Sequence, residues 1–102
     1  MKLLVVVCLK EYQEIVAAIL RQAEIGVFSA IDAIGFKGHQ QENLLDNWFS
    51  SGEEFFNSVV QFSFTGEEHA VVALSLVKKY NNDNQTDYPV RAFIMPVEMS
   101  SY

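Results

Sequence analysis

Basic residues, cysteine, proline and tryptophan are scarce in this chain of 102 residues, and each scarcity removes a class of function. Seven lysines and arginines stand against thirteen acidic residues, a net charge of −6. Binding to a nucleic-acid backbone or to an anionic membrane calls for clustered positive charge, so neither partner is expected. The lone cysteine, Cys8, has no partner for an internal disulfide. It fits a reducing compartment, and a cytoplasmic protein is expected. Two prolines and five glycines leave no linker and no low-complexity stretch. The longest apolar start, Leu3 to Leu9, stops at Lys10 and Glu11. It is too short to span a bilayer and lacks a small-residue cleavage site, so it reads as a strand rather than a leader or an anchor.

What is abundant is apolar: half the residues, enough for one packed core and one domain covering 1–102. Lys2 to Leu9, with Val5-Val6-Val7 at its centre, has the β-branched character of a covered strand. The period then changes: Ile15, Ala18, Ile19 and Ala23 make a helical stripe between Glu11 and Glu24, with Gly26 as its stop. Val27 to Ile34 alternates again as a strand. Glu53 to Phe64 is a strand rich in Phe and Val. Thr65 and Glu68 have the spacing of a capping box, opening a helix with a stripe of Ala70, Ala73, Leu74 and Val77. Lys78 and Lys79 fall near its expected C-terminus. A polar loop follows from Asn81 to Tyr88, and Val90 to Val97 closes the chain as a last strand.

The order is βαββαβ, which predicts an α+β, ferredoxin-like fold: a four-stranded antiparallel sheet with two helices on one face. The strands are apolar on both sides. Val5, Val7, Val60, Phe62 and Phe64 cannot share a face with Leu4, Val6 and Val59, so the face without helices is expected to be covered by other subunits.

No chemistry-bearing motif of a known enzyme class is present, neither a P-loop nor a Ser-His-Asp set, and no catalytic residue is expected. Glu53-Glu54 and Glu67-Glu68 read as solvated or helix-opening carboxylates. His39, His69 and Cys8 match no zinc spacing and no metal ligands are expected, although a trimer would bring three copies of one histidine together. The stretch 36–52 is long for a connection in a compact domain, and such loops carry function. Trp48 and Phe49 within it read either as the apolar side of a short helix folded on the body or as an anchor that a partner buries. Lys37 and Arg91 read either as ordinary surface charge or as the cations of an anion site.

The element order, the long loop after the second strand, and the words Val27 to Phe36, with Gly35-Phe36, and Phe93-Ile94-Met95-Pro96-Val97-Glu98 resemble the PII signal-transduction (nitrogen regulatory) proteins. The resemblance covers nearly the whole chain. It implies a homotrimer, nucleotide-binding clefts between subunits, and a loop 36–52 that docks on a target, a membrane transporter or an enzyme. Carried over by position, it implies effector contacts at Phe28, Ser29, Gly35, Phe36, Lys37, Gly38 and Arg91, with an adenine nucleotide as the first candidate. Trp48 and Phe49 would meet the partner. The sequence departs from the family where a Gly-rich phosphate turn belongs: Asn84-Gln85-Thr86-Asp87-Tyr88-Pro89 contains no glycine. The loop has no tyrosine, and no arginine follows Arg91. A second reading is a metal-responsive module of the same fold, as in relatives linked to metal tolerance or efflux.

Overall fold

The computed structural model describes residues 1–38 and 53–101, without the side chains of 37, 53 and 54. The elements are β1 (Lys2–Leu9), a 3-10 turn (Lys10–Tyr12), α1 (Gln13–Gln22), β2 (Ser29–Gly38), β3 (Glu53–Thr65), α2 (Glu67–Asp83) and β4 (Arg91–Pro96). The strands form one antiparallel sheet in the order β2-β3-β1-β4. This is the expected ferredoxin-like arrangement.

The two faces of the sheet separate by strand parity. Leu4, Val6, Cys8 and Val59 face the helices and are buried with Val16, Ile19 and Leu20 of α1 and Ala70, Ala73 and Val77 of α2. The small alanines of α2 let the helix lie close to the strands. The opposite face carries Val5, Val7, Val60 and Phe62, only partly covered, and Ile31, Phe64, Phe93 and Met95, exposed. Residues of this face, to which Leu3 also belongs, are direct cross-strand partners, Phe93 with Val5, Met95 with Leu3 and Ile31 with Val60. They make one continuous apolar surface.

One polar side chain lies inside the helix-facing core. Gln61 is 0% exposed; its amide nitrogen donates to the Gln13 carbonyl at 3.1 Å, at the start of α1. No donor among the described residues reaches its Oε1.

Several local expectations are corrected. The buried stripe of α1 is Val16, Ala17, Ile19, Leu20 and Ala23, whereas Ile15 and Ala18 are exposed. Residues 15–20 are all apolar, so periodicity alone cannot set the phase. Glu24, not Gly26, takes the left-handed conformation after α1, at φ 63°. Ile25 N–H then reaches back to the Leu20 carbonyl at 2.9 Å. Thr65 is not the cap of α2: it pairs with Lys2 as the last residue of β3, and Gly66 takes the cap position. Helix α2 runs on to Asp83, so Lys78 and Lys79 lie before its last turn. Strand β2 extends past Ile34 to Gly38, so Phe36, Lys37 and Gly38 belong to the strand rather than to a loop.

Candidate functional site

β1 pairs with β3 only as far as Leu9 with Ser58, so the segment of β3 before Ser58 is held by β2 alone. Beyond the body the sheet is a two-stranded ribbon. Where it leaves the body, the end of β1, the ribbon base and the segment entering β4 enclose a cleft of ≈ 290 Å³. Its lining is Val7, Cys8 and Leu9 of β1, Phe36 of β2, Phe56 and Ser58 of β3, then Asp87, Tyr88, Pro89 and Arg91.

Each wall has a local cause. Asn81, on the last turn of α2, clamps the chain where it enters β4. Its amide donates to the Val90 carbonyl at 2.7 Å, and its carbonyl accepts the Val90 N–H at 3.0 Å. This fixes Arg91, the first residue of β4, opposite Val7. The Arg91 side chain is exposed, and among the described residues no carboxylate lies within ion-pairing distance of it. Phe56 packs against Tyr88, ring centroids 5.1 Å apart at 60°. On the other side of the ribbon Phe36 and Phe55 meet edge to face at 5.0 Å, both largely exposed. Cys8 is buried at the floor, and burial pushes its thiol above the ordinary value, so it is a neutral packing group.

In the segment 84–90, half of the backbone N–H groups are already engaged within the chain. Asn84 N–H caps α2 on the Tyr80 carbonyl at 2.9 Å. Tyr88 N–H donates to Thr86 Oγ1 at 3.2 Å, Val90 N–H is taken by Asn81, and Pro89 has none. A backbone cradle for a polyphosphate needs several such groups converging. What the cleft offers instead is the Arg91 guanidinium in a lining that also holds Phe36, Phe56 and Tyr88 and the Asp87 carboxylate, a setting for a planar ligand with a short anionic arm held by one cation.

The expected site residues fall into two groups. Gly35 and Phe36, with the backbone of Lys37 and Gly38, lie at the ribbon base, and Arg91 lies across the cleft from it. Phe28 and Ser29 lie at the other end of β2, in a second hollow with Val27, Phe62, Ser63 and Phe64. There Ser63 Oγ donates to the Val27 carbonyl at 2.6 Å, and the Arg21 guanidinium sits 6.0 Å from the centre of the Phe28 ring. Ser29 and Gly35 share a strand face, about 20 Å apart at the usual rise per residue. Trp48, Phe49 and His39 lie outside the described residues. His69 is engaged with the Ala23 carbonyl at 3.1 Å, and among the described residues no group of three metal-ligating side chains converges.

Sequence reasoning missed Phe56 and Ser58, and it placed Asp87 and Tyr88 in the stretch standing for the phosphate turn without assigning them to the site. The one signal for Phe56 was a glycine, Gly35, facing it across the pair; Tyr88-Pro89 ending a polar stretch was the signal for the opposite wall.

No family model matches the chain, and no curated protein matches it. Solved structures do. A PII-like signalling protein of Thermus thermophilus aligns with TM-score 0.59 at 18% identity, covering 91% of this chain and 82% of that one. CPII, a nitrogen regulatory PII-like protein from Thiomonas intermedia solved with ADP, AMP and bicarbonate, aligns with TM-score 0.63 at 13% identity, covering 97% and 93%. The chain therefore has the fold of the PII-like signalling proteins.

Proposed function

We propose that this protein is a PII-like regulator that assembles as a homotrimer, binds a small anionic effector between subunits, and controls a partner protein through the segment 36–52. The effector the cleft suits is an adenine nucleotide with a short phosphate arm, AMP before ATP. The observation that carries the reading is the cleft at the ribbon base, where Arg91 shares the lining with the packed Phe56–Tyr88 pair and has no carboxylate paired to it among the described residues. A structural neighbour of the same fold is solved with ADP and AMP. The separation of Phe28 and Ser29 from Gly35 and Arg91 supports the intersubunit site, since one nucleotide cannot touch both groups on one chain. The uncovered apolar sheet face supports the assembly. The partner would be a transporter or an enzyme, met through Trp48 and Phe49.

The test is a titration of the purified protein with AMP, ADP and ATP at fixed ionic strength, read by fluorescence of the single tryptophan, Trp48, and by calorimetry. AMP is expected to saturate, with ATP weaker. Arg91→Ala should weaken AMP about tenfold or more, the loss of a charge-assisted hydrogen bond. A folded, assembled protein that gives neither a fluorescence change nor heat with any of the three nucleotides up to millimolar concentration would overturn the proposal.

A further inference from the structure

Gly35 and Phe56 are direct partners in the β2–β3 pairing. The Phe56 ring lies over the Gly35 backbone so closely that a Cβ added at Gly35 would meet three ring carbons at 2.7 Å or less. Real Cβ atoms do not approach other atoms this way, so any side chain at 35 must push the ring aside. Swinging the ring aside disturbs Tyr88, against which it packs with ring centroids 5.1 Å apart. Tyr88 stands in the segment that Asn81 clamps at Val90, one residue before Arg91. A continuous line of contacts thus runs from the ribbon backbone through one phenyl ring to the far wall of the cleft.

We propose that Phe56 is the positioning residue of the cleft: seated on Gly35 and packed against Tyr88, it couples the β2–β3 ribbon to the wall that carries Arg91. A ligand bound between the walls packs against this ring, and any shift of the ring is handed to the strands leading into 39–52. Conversely, a change in the ribbon alters the position of Tyr88 and Arg91. Gly35 is required because only a residue without Cβ lets the ring sit down on the strand. The functional half of this inference rests on the cleft being the effector site; the mechanical half does not.

The experiment separates the two. Amide signals of the full chain are compared by NMR for Gly35→Ala, Phe56→Ala and the double variant, without ligand. Gly35→Ala is expected to shift the signals of Asp87, Tyr88 and Arg91 across the cleft. In the Phe56→Ala background the same substitution should leave them where Phe56→Ala alone puts them. If Phe56→Ala is too unstable to study, Tyr88→Ala takes its place, and Gly35→Ala should then no longer move Arg91. Shifts confined to the ribbon, or equal shifts in both backgrounds, overturn the coupling. In the ligand arm, Gly35→Ala should weaken AMP by about fivefold or more, and this loss should vanish when Phe56 is already alanine, the non-additivity expected of residues in contact. AMP binding that Gly35→Ala leaves unchanged sinks the coupling while the proposed function stands. Absence of binding by AMP, ADP and ATP alike sinks the proposed function, and the NMR arm still decides the coupling.

Discussion

Phe93→Asp tests the assembly through the uncovered sheet face. Phe93 sits mid-strand on β4, the edge strand beside β1, opposite Val5 on the uncovered face, and is 50% exposed. A phenylalanine side chain presents roughly 200 Å², so about 100 Å² stays wet in one chain. At about 25 cal/mol/Å², covering it stabilises each subunit contact by ~2.5 kcal/mol. Removing that from every copy of a trimer costs ~7 kcal/mol, about five powers of ten in the association constant. The aspartate adds more, because each carboxylate would be desolvated beside its symmetry mates, at several kcal/mol per charge. Sedimentation velocity at micromolar concentration is the assay. The wild type is expected near three times the 11.6 kDa chain mass, and Phe93→Asp at the chain mass itself. Val71→Asp is the control: Val71 is similarly exposed at 48%, but on α2, and should leave the assembly intact. Far-ultraviolet circular dichroism should show Phe93→Asp still folded, since Phe93 lies on the face away from the helices. A wild type that is monomeric at about 100 μM, or a Phe93→Asp variant that stays assembled, refutes the reasoning.

Two further positions probe what holds the site in place. Gln61→Met removes the buried Oε1 that no described donor reaches but also the Nε2 hydrogen bond to the Gln13 carbonyl, so the two effects oppose and urea unfolding should show a change within about 1 kcal/mol; a loss of about 3 kcal/mol or more would exceed that one bond and mean that Oε1 is satisfied in the folded protein. Gln61→Glu should instead destabilise: burial would hold the folded-state carboxyl above its ordinary value, so the cost is absent below about pH 4.3 and grows as pH rises toward the folded value. Asn81→Ala strips both hydrogen bonds from Val90 and should cost ~2 kcal/mol, on the order of 10 °C in thermal unfolding. A shift of less than about 2 °C would show that the entry to β4 is held by other contacts.

The fold was legible because two signals agreed over long segments. β-branched runs marked β1 and β3, and Ala70, Ala73 and Val77 marked the buried side of α2. Reading failed where several local rules were satisfied at once. Ile15 to Leu20 offers apolar residues all round, and only packing on the sheet picks Val16 and Leu20. Thr65 and Glu68 have capping-box spacing, yet the Lys2 pairing keeps Thr65 in the ladder. The two glycines of Gly35-Phe36-Lys37-Gly38 look like a turn, but pairing with Glu53 to Phe56 outweighs their weak strand preference. Gly35 marks a close approach rather than a bend. The cleft was half legible. The resemblance supplied Gly35, Phe36 and Arg91, while Phe56 and Tyr88 become neighbours only through the fold, with 31 residues between them in sequence.

The geometry also bears on how copies would meet. Ser29 and Gly35 mark unlike ends of one edge strand, on the same face, so the proposed intersubunit site would need unlike ends of two chains to come together. An edge-to-edge dimer through β2 could do that. It would leave Val5, Val60, Phe62, Phe93 and Met95 in water, because they lie on β3, β1 and β4, away from that edge. A ring in which each chain offers one end to each neighbour and turns its open face inward covers these residues and joins the ends in the same step. The same surface would then do two jobs: holding the copies together and building the effector site. Losing Phe93 should therefore abolish nucleotide binding along with assembly, even though Phe93 lines neither hollow.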